Sequence, residues 1–482
     1  MKNLIGLGAL SLSLTALQAQ EQKPNVIMIL ADDLGWADLS CNGSTYYETP
    51  NIDKLVESGV LFTNAHSASA VSSPARGAIM SGKFPVRTGY TGLIGQYNKP
   101  SKGRLIDAYH TNGLPEEEYV LTEAFRANGY KTMHFGKWHL GENDPNTMPA
   151  NQGVDLYVTG FEGSTWKGQR WNEDGEFITD VLTTKALEAI DEAKDAPFLL
   201  NMWYYAVHTP IAGKPEDIQY FKDKAKSMGL DKIVDLEQNG DRNPALSWFR
   251  QSKGGEPPLL NRRVVQSNPT YAAFLYCLDQ NVGRLVAHIE ELGLSDNTIF
   301  IFYSDNGGLS STEGSPTCNA PLREGKGWSF EGGVRVPLII SSSTIKNQGR
   351  ESTLPVVGTD LYPTLLEMAG LPMLPEQHVD GESVVPILAD KSMKRAPIYW
   401  HSPHYFNQGG YPYSAMYDGV NKYIYHYDEE VTYLFNLTDD LSESTNLAEK
   451  ESKTTSKMKR QLDKFLDEVN ALYPTENPNY NK

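Results

Sequence analysis

Six short stretches of this 482-residue chain hold residue types that could do chemistry together. The first is Ser72-Ser73-Pro74-Ala75-Arg76-Gly77, running on through Ala78-Ile79-Met80-Ser81-Gly82. It reads as a loop entering a helix, with Pro74 at the first helical position, where its missing N–H costs nothing. Ser72 then stands at the positive end of the helix dipole, where free backbone N–H groups favour an anion. Arg76 lies one turn on, on the same face. A Ser-rich cap on an ordinary surface helix explains this stretch equally well.

Two further stretches are acids just past apolar runs. Asn25–Leu30 ends in Ala31-Asp32-Asp33, and Thr298–Tyr303 ends in Ser304-Asp305-Asn306-Gly307-Gly308. Each run reads as a buried parallel strand, and open α/β sheets bind ligands at such strand ends. Adjacent carboxylates repel, and a hard cation is the usual remedy; a capping Asp pair is the plainer alternative. Asp32, Asp33, Asp305 and the Asn306 amide oxygen form an all-oxygen set, which favours calcium or magnesium over zinc.

The remaining three stretches carry cations and imidazoles. Gly136-Lys137-Trp138-His139-Leu140-Gly141 follows a strand, and alternation lets Lys137 and His139 face one side. His208 stands just past the Pro197–Tyr204 strand, before Pro210. Lys326 sits between Gly325 and Gly327. Each alone reads as solvated surface or as a loop contact.

Together these stretches resemble the type I (formylglycine-dependent) sulfatases, over the chain from about residue 24 to the C-terminus. Ser-x-Pro-Ala-Arg with Ser-Gly ten residues in is the most specific part. Ala75, Met80 and Ser81 stand where that family commonly has Ser, Leu and Thr. Ser73 is out of register with Pro74 and Arg76, so Ser72 takes the nucleophile position. The resemblance implies that Ser72 is oxidised to formylglycine, whose hydrate attacks sulfur with calcium assistance. It implies one Ca2+ held by Asp32, Asp33, Asp305 and Asn306, with modified Ser72 facing it. Arg76, Lys137 and His139 would orient the hydrate. His208 and Lys326 would hold the sulfate, and His208 would protonate the leaving alcohol, with His139 the competing choice. A serine at position 72 implies a radical-type sulfatase-maturating enzyme, acting before export. The implied substrate is a sulfated carbohydrate, with a galactose-type sugar as the guess. The rival readings are an alkaline-phosphatase-like phosphoesterase or phosphonate hydrolase, and a catalytically dead sugar-binding homologue.

Composition sets bounds on all of this. The net charge is −17, which argues against nucleic acid and anionic membrane partners. Any anion site must therefore be a local basic pocket. Residues 1–19 read as a signal peptide: Lys2, an apolar run from Leu4 to Leu17, then Ala19. No later run is long enough to span a bilayer, so a periplasmic or secreted protein without membrane insertion is expected. Cys41, Cys277 and Cys318 make neither a disulfide framework nor a zinc spacing; Cys277 and Cys318 could pair, and free buried thiols are expected.

The elements needed to position the six stretches are those of an α/β domain over 24–392. The resemblance implies an alkaline-phosphatase-like, large, mixed and mostly parallel sheet flanked by helices. Helices are expected at 121–129, 271–292 and 360–368. From about residue 393 short strands at 397–400, 422–426 and 433–436 and a helix at 452–472 predict a smaller C-terminal α+β subdomain (393–482) with an antiparallel sheet. Trp166, Lys167, Arg170 and Trp171 suit either a sugar ring or a loop clamped by tryptophans. Residues 211–268 read as a lid or rim. Trp400-His401-Ser402-Pro403-His404-Tyr405 fits sugar contacts or a domain interface. Arg323 and Arg335 are expected to pair with Glu324 and Glu331.

Overall fold

A computed structural model describes residues 23–95, 103–141, 145–161, 168–242 and 259–480. The expected signal peptide, Trp166 and Lys167 lie outside these residues. The strands of the main sheet are β1 (Asn25–Ala31), β2 (Gly59–Phe62), β3 (Lys131–Gly136), β4 (Leu156–Val158), β5 (Phe198–Trp203), β6 (Thr298–Ser304), β7 (Leu338–Ser341) and β8 (Arg350–Ser352). Their order is β8-β2-β7-β6-β1-β5-β3-β4. Neighbours are parallel except where β7 meets β6 and β2.

Both faces of this sheet are covered, which is why β1 is apolar from Val26 to Ala31 and β6 from Ile299 to Tyr303. Helices α1 (Pro50–Glu57), α2 (Ser72–Ser81), α3 (Leu121–Ala127), α4 (Ile178–Ala193), α5 (Pro269–Glu291) and α6 (Leu361–Met368) do the covering. Ile27 and Ile29 share a core with α1, α4 and α5. Val26, Met28 and Leu30, pointing the other way, share one with α2, α3 and α6. The α4 helix has no counterpart in the sequence reading. Nor do β2, β4 and β8, which are only three or four residues long.

Register decides where the strands deliver their ends. Ala31 pairs with Ser304, Leu30 with Trp203, and Gly136 with Trp203. The residues that follow, Asp32, Asp305, Lys137 and the run from Tyr204 to His208, therefore leave the sheet along one rim.

The C-terminal strands β9 (Ile398–Ser402), β10 (Tyr413–Tyr417), β11 (Asn421–His426) and β12 (Val431–Asn436) form an antiparallel meander, backed by α7 (Ser452–Glu468). β10 has no counterpart among the expected strands, and α7 stops short of residue 472. Trp400, Met458, Leu462 and Phe465 share one core with Ala68, Ala70 and Ala78 from around the α2 N-terminus. The 400–405 hexamer is interface: Trp400 Nε1 donates to Ser67 O at 2.8 Å, and His404 Nε2 meets Thr91 Oγ1 at 2.8 Å.

Arg335 pairs with Glu331 at 2.7 Å, as expected. Arg323 does not pair with Glu324. Its guanidinium lies 3.8 Å from the Phe330 ring centroid, and Glu324 instead takes Arg262 at 2.6 Å. Cys41, Cys277 and Cys318 are free thiols. Among the described residues no helix is long and apolar enough to cross a membrane.

Candidate active site

α2 starts at Ser72, so Pro74 is its third residue rather than its first. The first turn has no intrahelical use for that N–H, so the proline still fits. Ser72 and Arg76 are fully buried. Ser72 Oγ lies 3.3 Å from Asp32 Oδ1 and 3.1 Å from Asn306 Oδ1. Asn306 Nδ2 donates to Asp33 Oδ1 at 2.9 Å, and the Asp33 N–H donates to Asp305 Oδ1 at 3.1 Å. Two strand ends and one helix start thus bring their oxygens together. Asp33 makes the turn with φ 65°, a left-handed conformation that Asp tolerates better than most residues.

Each carboxylate has its own cation. Arg76 donates to Asp305 Oδ2 through Nε (3.0 Å) and Nη2 (2.8 Å). Lys137 Nζ reaches both oxygens of Asp32, at 2.9 and 2.8 Å. Lys326 Nζ reaches both oxygens of Asp33, at 2.7 and 2.8 Å. Burial would raise Asp32, but Lys137, then His208 and Arg76, hold it well below the usual range. Burial likewise opposes Asp33, and Lys326 overcomes it. Burial would lower Lys326, yet Asp33 and Asp32 hold it above its ordinary value.

Lys137 and His139 part company with Trp138 as alternation predicts. Trp138 turns into the core and donates to Thr147 O at 2.8 Å. Gly136 is required here: at φ 105° a Cβ would fall 1.9 Å from Trp203 O. The His139 ring lies 3.2 Å from Ser73 Oγ, a neighbour the sequence reading set aside. His208 Nε2 is 3.6 Å from Asp33 Oδ2, and its Nδ1 faces the Thr209 carbonyl at 2.5 Å. Burial, then Lys326, lowers His208; burial, then Lys137 and Arg76, lowers His139.

Asp32, Asp33 and His208 each offer one ligand atom within 4.8 Å of the others. Asp305 is not in that group: its Oδ2 is taken by Arg76, and Oδ1, which accepts the Asp33 N–H at 3.1 Å, is the oxygen left to face an ion. The oxygens of Asp32, Asp33, Asn306 and Ser72 suit a hard divalent cation in chemical type and in proximity. Three carboxylates already face three cationic side chains, so a divalent ion would leave the pocket positive in an acidic protein.

One residue at the site is more than its sequence context suggested. Arg170 is buried, lies over the Phe274 ring, and donates to the carbonyls of His208 and Pro210. It fixes the loop that carries His208. In the sequence it stands out only beside Trp171, in a stretch that suits a sugar ring or a clamped loop equally.

The sulfatase family model matches residues 24–371. A second, described as N-sulphoglucosamine sulphohydrolase, C-terminal, matches 325–471. A sulfatase of Formosa agariphila is 32% identical, over 85% of this chain and 81% of its own. The N-acetylgalactosamine-6-sulfatase of Mus musculus is 28% identical, over 79% of this chain and 69% of its own. The crystal structure of Ps i-CgsB in complex with k-i-k-neocarrahexaose superposes with a TM-score of 0.72 at 29% identity, covering 92% of this chain and 93% of that one. The fold is the alkaline-phosphatase-like one the resemblance implied, and the sulfatase family implies formylglycine and a divalent metal. With most of its length matched and its acids, lysines and serine gathered at one sheet rim, the chain belongs to the sulfatase family and is a sulfuric ester hydrolase.

Proposed function

We propose that this chain removes O-sulfate from a sugar of a sulfated glycan, a galactose-type sugar first among them. One observation carries the reading: Ser72 meets Asp32 and Asn306 at 3.3 and 3.1 Å, while Lys137 and Lys326 hold Asp32 and Asp33 at the same rim. The sugar class is supported by a relative named for N-acetylgalactosamine and a related structure bound to a neocarrahexaose.

A calcium ion held by Asp32, Asp33, Asp305, Asn306 and residue 72 would supply positive charge that favours proton loss from a hydroxyl beside it. Formylglycine at position 72 would supply a hydrated aldehyde, able to clear a sulfate ester that a plain serine would keep. Arg76 orients Asp305, and Lys137 orients Asp32 and holds its carboxyl below the ordinary range. Lys326 and His208, both against Asp33, hold the sulfate oxygens. With Nδ1 on the Thr209 carbonyl, Nε2 of His208 is the atom that exchanges a proton with the pocket. Burial, then Lys326, lowers His208; an anionic ester there would offset Lys326 and favour the charged ring that the leaving alcohol needs. His139 can share that proton transfer.

Synthesis with a radical-type sulfatase-maturating enzyme, then export, completes the reading. Peptide mass spectrometry across Ser72 should show a residue short of a pair of hydrogens, and matured protein should hydrolyse an aryl sulfate faster than the matched aryl phosphate. Faster phosphate turnover would transfer the assignment to the phosphoesterase reading. Unmodified serine with binding but no turnover would favour the dead sugar-binding homologue. A screen of sulfated mono- and disaccharides then reads the sugar.

A further inference from the structure

One acidic side chain stands near the site with no part in the chemistry above. Glu313 is exposed on the loop between Leu309 and Ser315. Thr312, Glu313 and Ser315 there have φ of 59°, 45° and 47°. Left-handed backbone at three such residues is costly and persists only where contacts over-determine it. Ser311 Oγ donates to Gln408 O at 2.7 Å, and Ser315 Oγ to Asn261 O at 2.9 Å.

The carboxylate itself is held by three donors. Thr209 Oγ1 donates to Oε2 at 2.6 Å; Asn407 Nδ2 and Gln408 Nε2 donate to Oε1 at 2.8 and 3.3 Å. Asn407 and Gln408 are 9% and 3% exposed, so they orient Glu313 from beneath. Thr209 follows His208 in the chain. Gln408 packs on Gly327, which follows Lys326; a Cβ on Gly327 would come within 2.9 Å of the Gln408 Cβ. Glu313 is thereby tied to the neighbours of both residues assigned to the sulfate.

Its sign is wrong for sulfate. Glu313 adds to the negative field at Lys326, which weakens an anion site. A fixed, exposed carboxylate with acceptor capacity left on Oε2 answers to hydroxyl donors, and it repels any second anion. We propose that Glu313 is a specificity-determining residue: its carboxylate accepts free hydroxyls beside the sulfated carbon and excludes sugars carrying a second sulfate or a carboxylate there. This rests on the sulfated-sugar reading above.

The test compares matured wild type, E313A and E313Q on three esters: the monosulfated hexose turned over best, its disulfated counterpart, and an aryl sulfate without sugar hydroxyls. Aryl sulfate turnover by wild type tests the sulfatase reading by itself, and its failure overturns that reading. E313A is expected to lower the ratio of kcat/KM on the monosulfated hexose to that on the aryl ester by about tenfold to a hundredfold, mainly through KM. E313Q, with size kept and charge removed, is expected to raise the disulfated-to-monosulfated ratio by about tenfold. Melting temperatures confirm that both variants fold. Ratios unchanged within about twofold overturn the proposal, as does an equal loss of kcat on every ester, which would mark a loop tether. A wild type that prefers the disulfated sugar overturns it too.

Discussion

The rim of the main sheet and the seam between that sheet and the C-terminal meander are both built from buried charge, and they use it differently. At the seam Glu331 takes Lys422 at 2.8 Å, Arg335 at 2.7 Å and His66 at 3.0 Å. Glu443 takes Lys422 at 3.2 Å and the Glu331 N–H at 2.6 Å. Lys422, Glu331, Glu443 and His66 are all sealed from solvent. The rim has the same kind of pairs, but His208 keeps 23% of its side chain exposed and opens the cluster to solvent. Closed, such a network fastens two sheets; open to solvent, and with a divalent ion added to its balanced pairs, it would take an anion.

The largest expected effects separate these two roles. Ser72→Ala should abolish turnover, by at least about 10³-fold, because no other group can carry the formylglycine chemistry. Its stability should change by under about 1 kcal/mol, since a hydroxyl is lost and every cation stays paired. Lys422→Met should do the reverse. It leaves Glu331 and Glu443 short of a cation in the interior, at about 3–5 kcal/mol by denaturant titration, while formylglycine still forms. A Ser72→Ala protein as destabilised as Lys422→Met would erase the distinction.

Arg170→Ala is expected to be smaller and to sit between the two. Its guanidinium forks onto the His208 and Pro210 carbonyls. Loss of the fork frees the His208 loop, which should cost about tenfold to a hundredfold in kcat/KM. Arg170→Lys should not restore the rate, because a single ammonium cannot span two carbonyls as the planar fork does. Full rescue by lysine would mean that charge near Asp32 matters there, not position.

The two regions also differ in how far they could be read in advance. The rim was legible because buried parallel strands are continuous apolar runs and their ends are marked by acids: Asp32-Asp33 after Leu30, Asp305-Asn306 after Tyr303. The seam was legible only where it is local, as with Glu331 and Arg335 four residues apart. Lys422 looked like one strand residue among others, for its partners lie 91 residues away at Glu331 and in a loop at Glu443. Arg323 illustrates the trap: adjacency in sequence suggested Glu324, and packing gave it the Phe330 face. Arg170 was obscured for the same reason, since backbone carbonyls leave no trace in residue identity.

The smallest expected effect is a difference in pH slope. Burial raises Glu443, to about 7; Lys422 pulls it down, and the charge of Glu331 pushes it up again. In the unfolded chain a glutamate releases its proton near about 4.3. Between those values the folded state holds a proton that the unfolded state has lost. The contribution of Glu443 is therefore whole below the unfolded value and disappears as pH rises toward about 7. Asp32 and Asp33 at the rim have the opposite sign: held below their ordinary range, they add stability above it and surrender that in acid. Glu443→Gln removes this one contribution and leaves those of the rim and of Glu331, whose carboxyl Lys422, His66 and Arg335 hold low against burial. From about pH 5 to about pH 7.5 the variant should gain on wild type by about 1–3 kcal/mol in unfolding free energy, and below about pH 4 the two should fall together. Parallel curves across the whole range would mean that Glu443 ionises as freely in the fold as outside it, with Lys422 enough to hold both seam carboxylates, and the closed network would then be electrostatically like the open one.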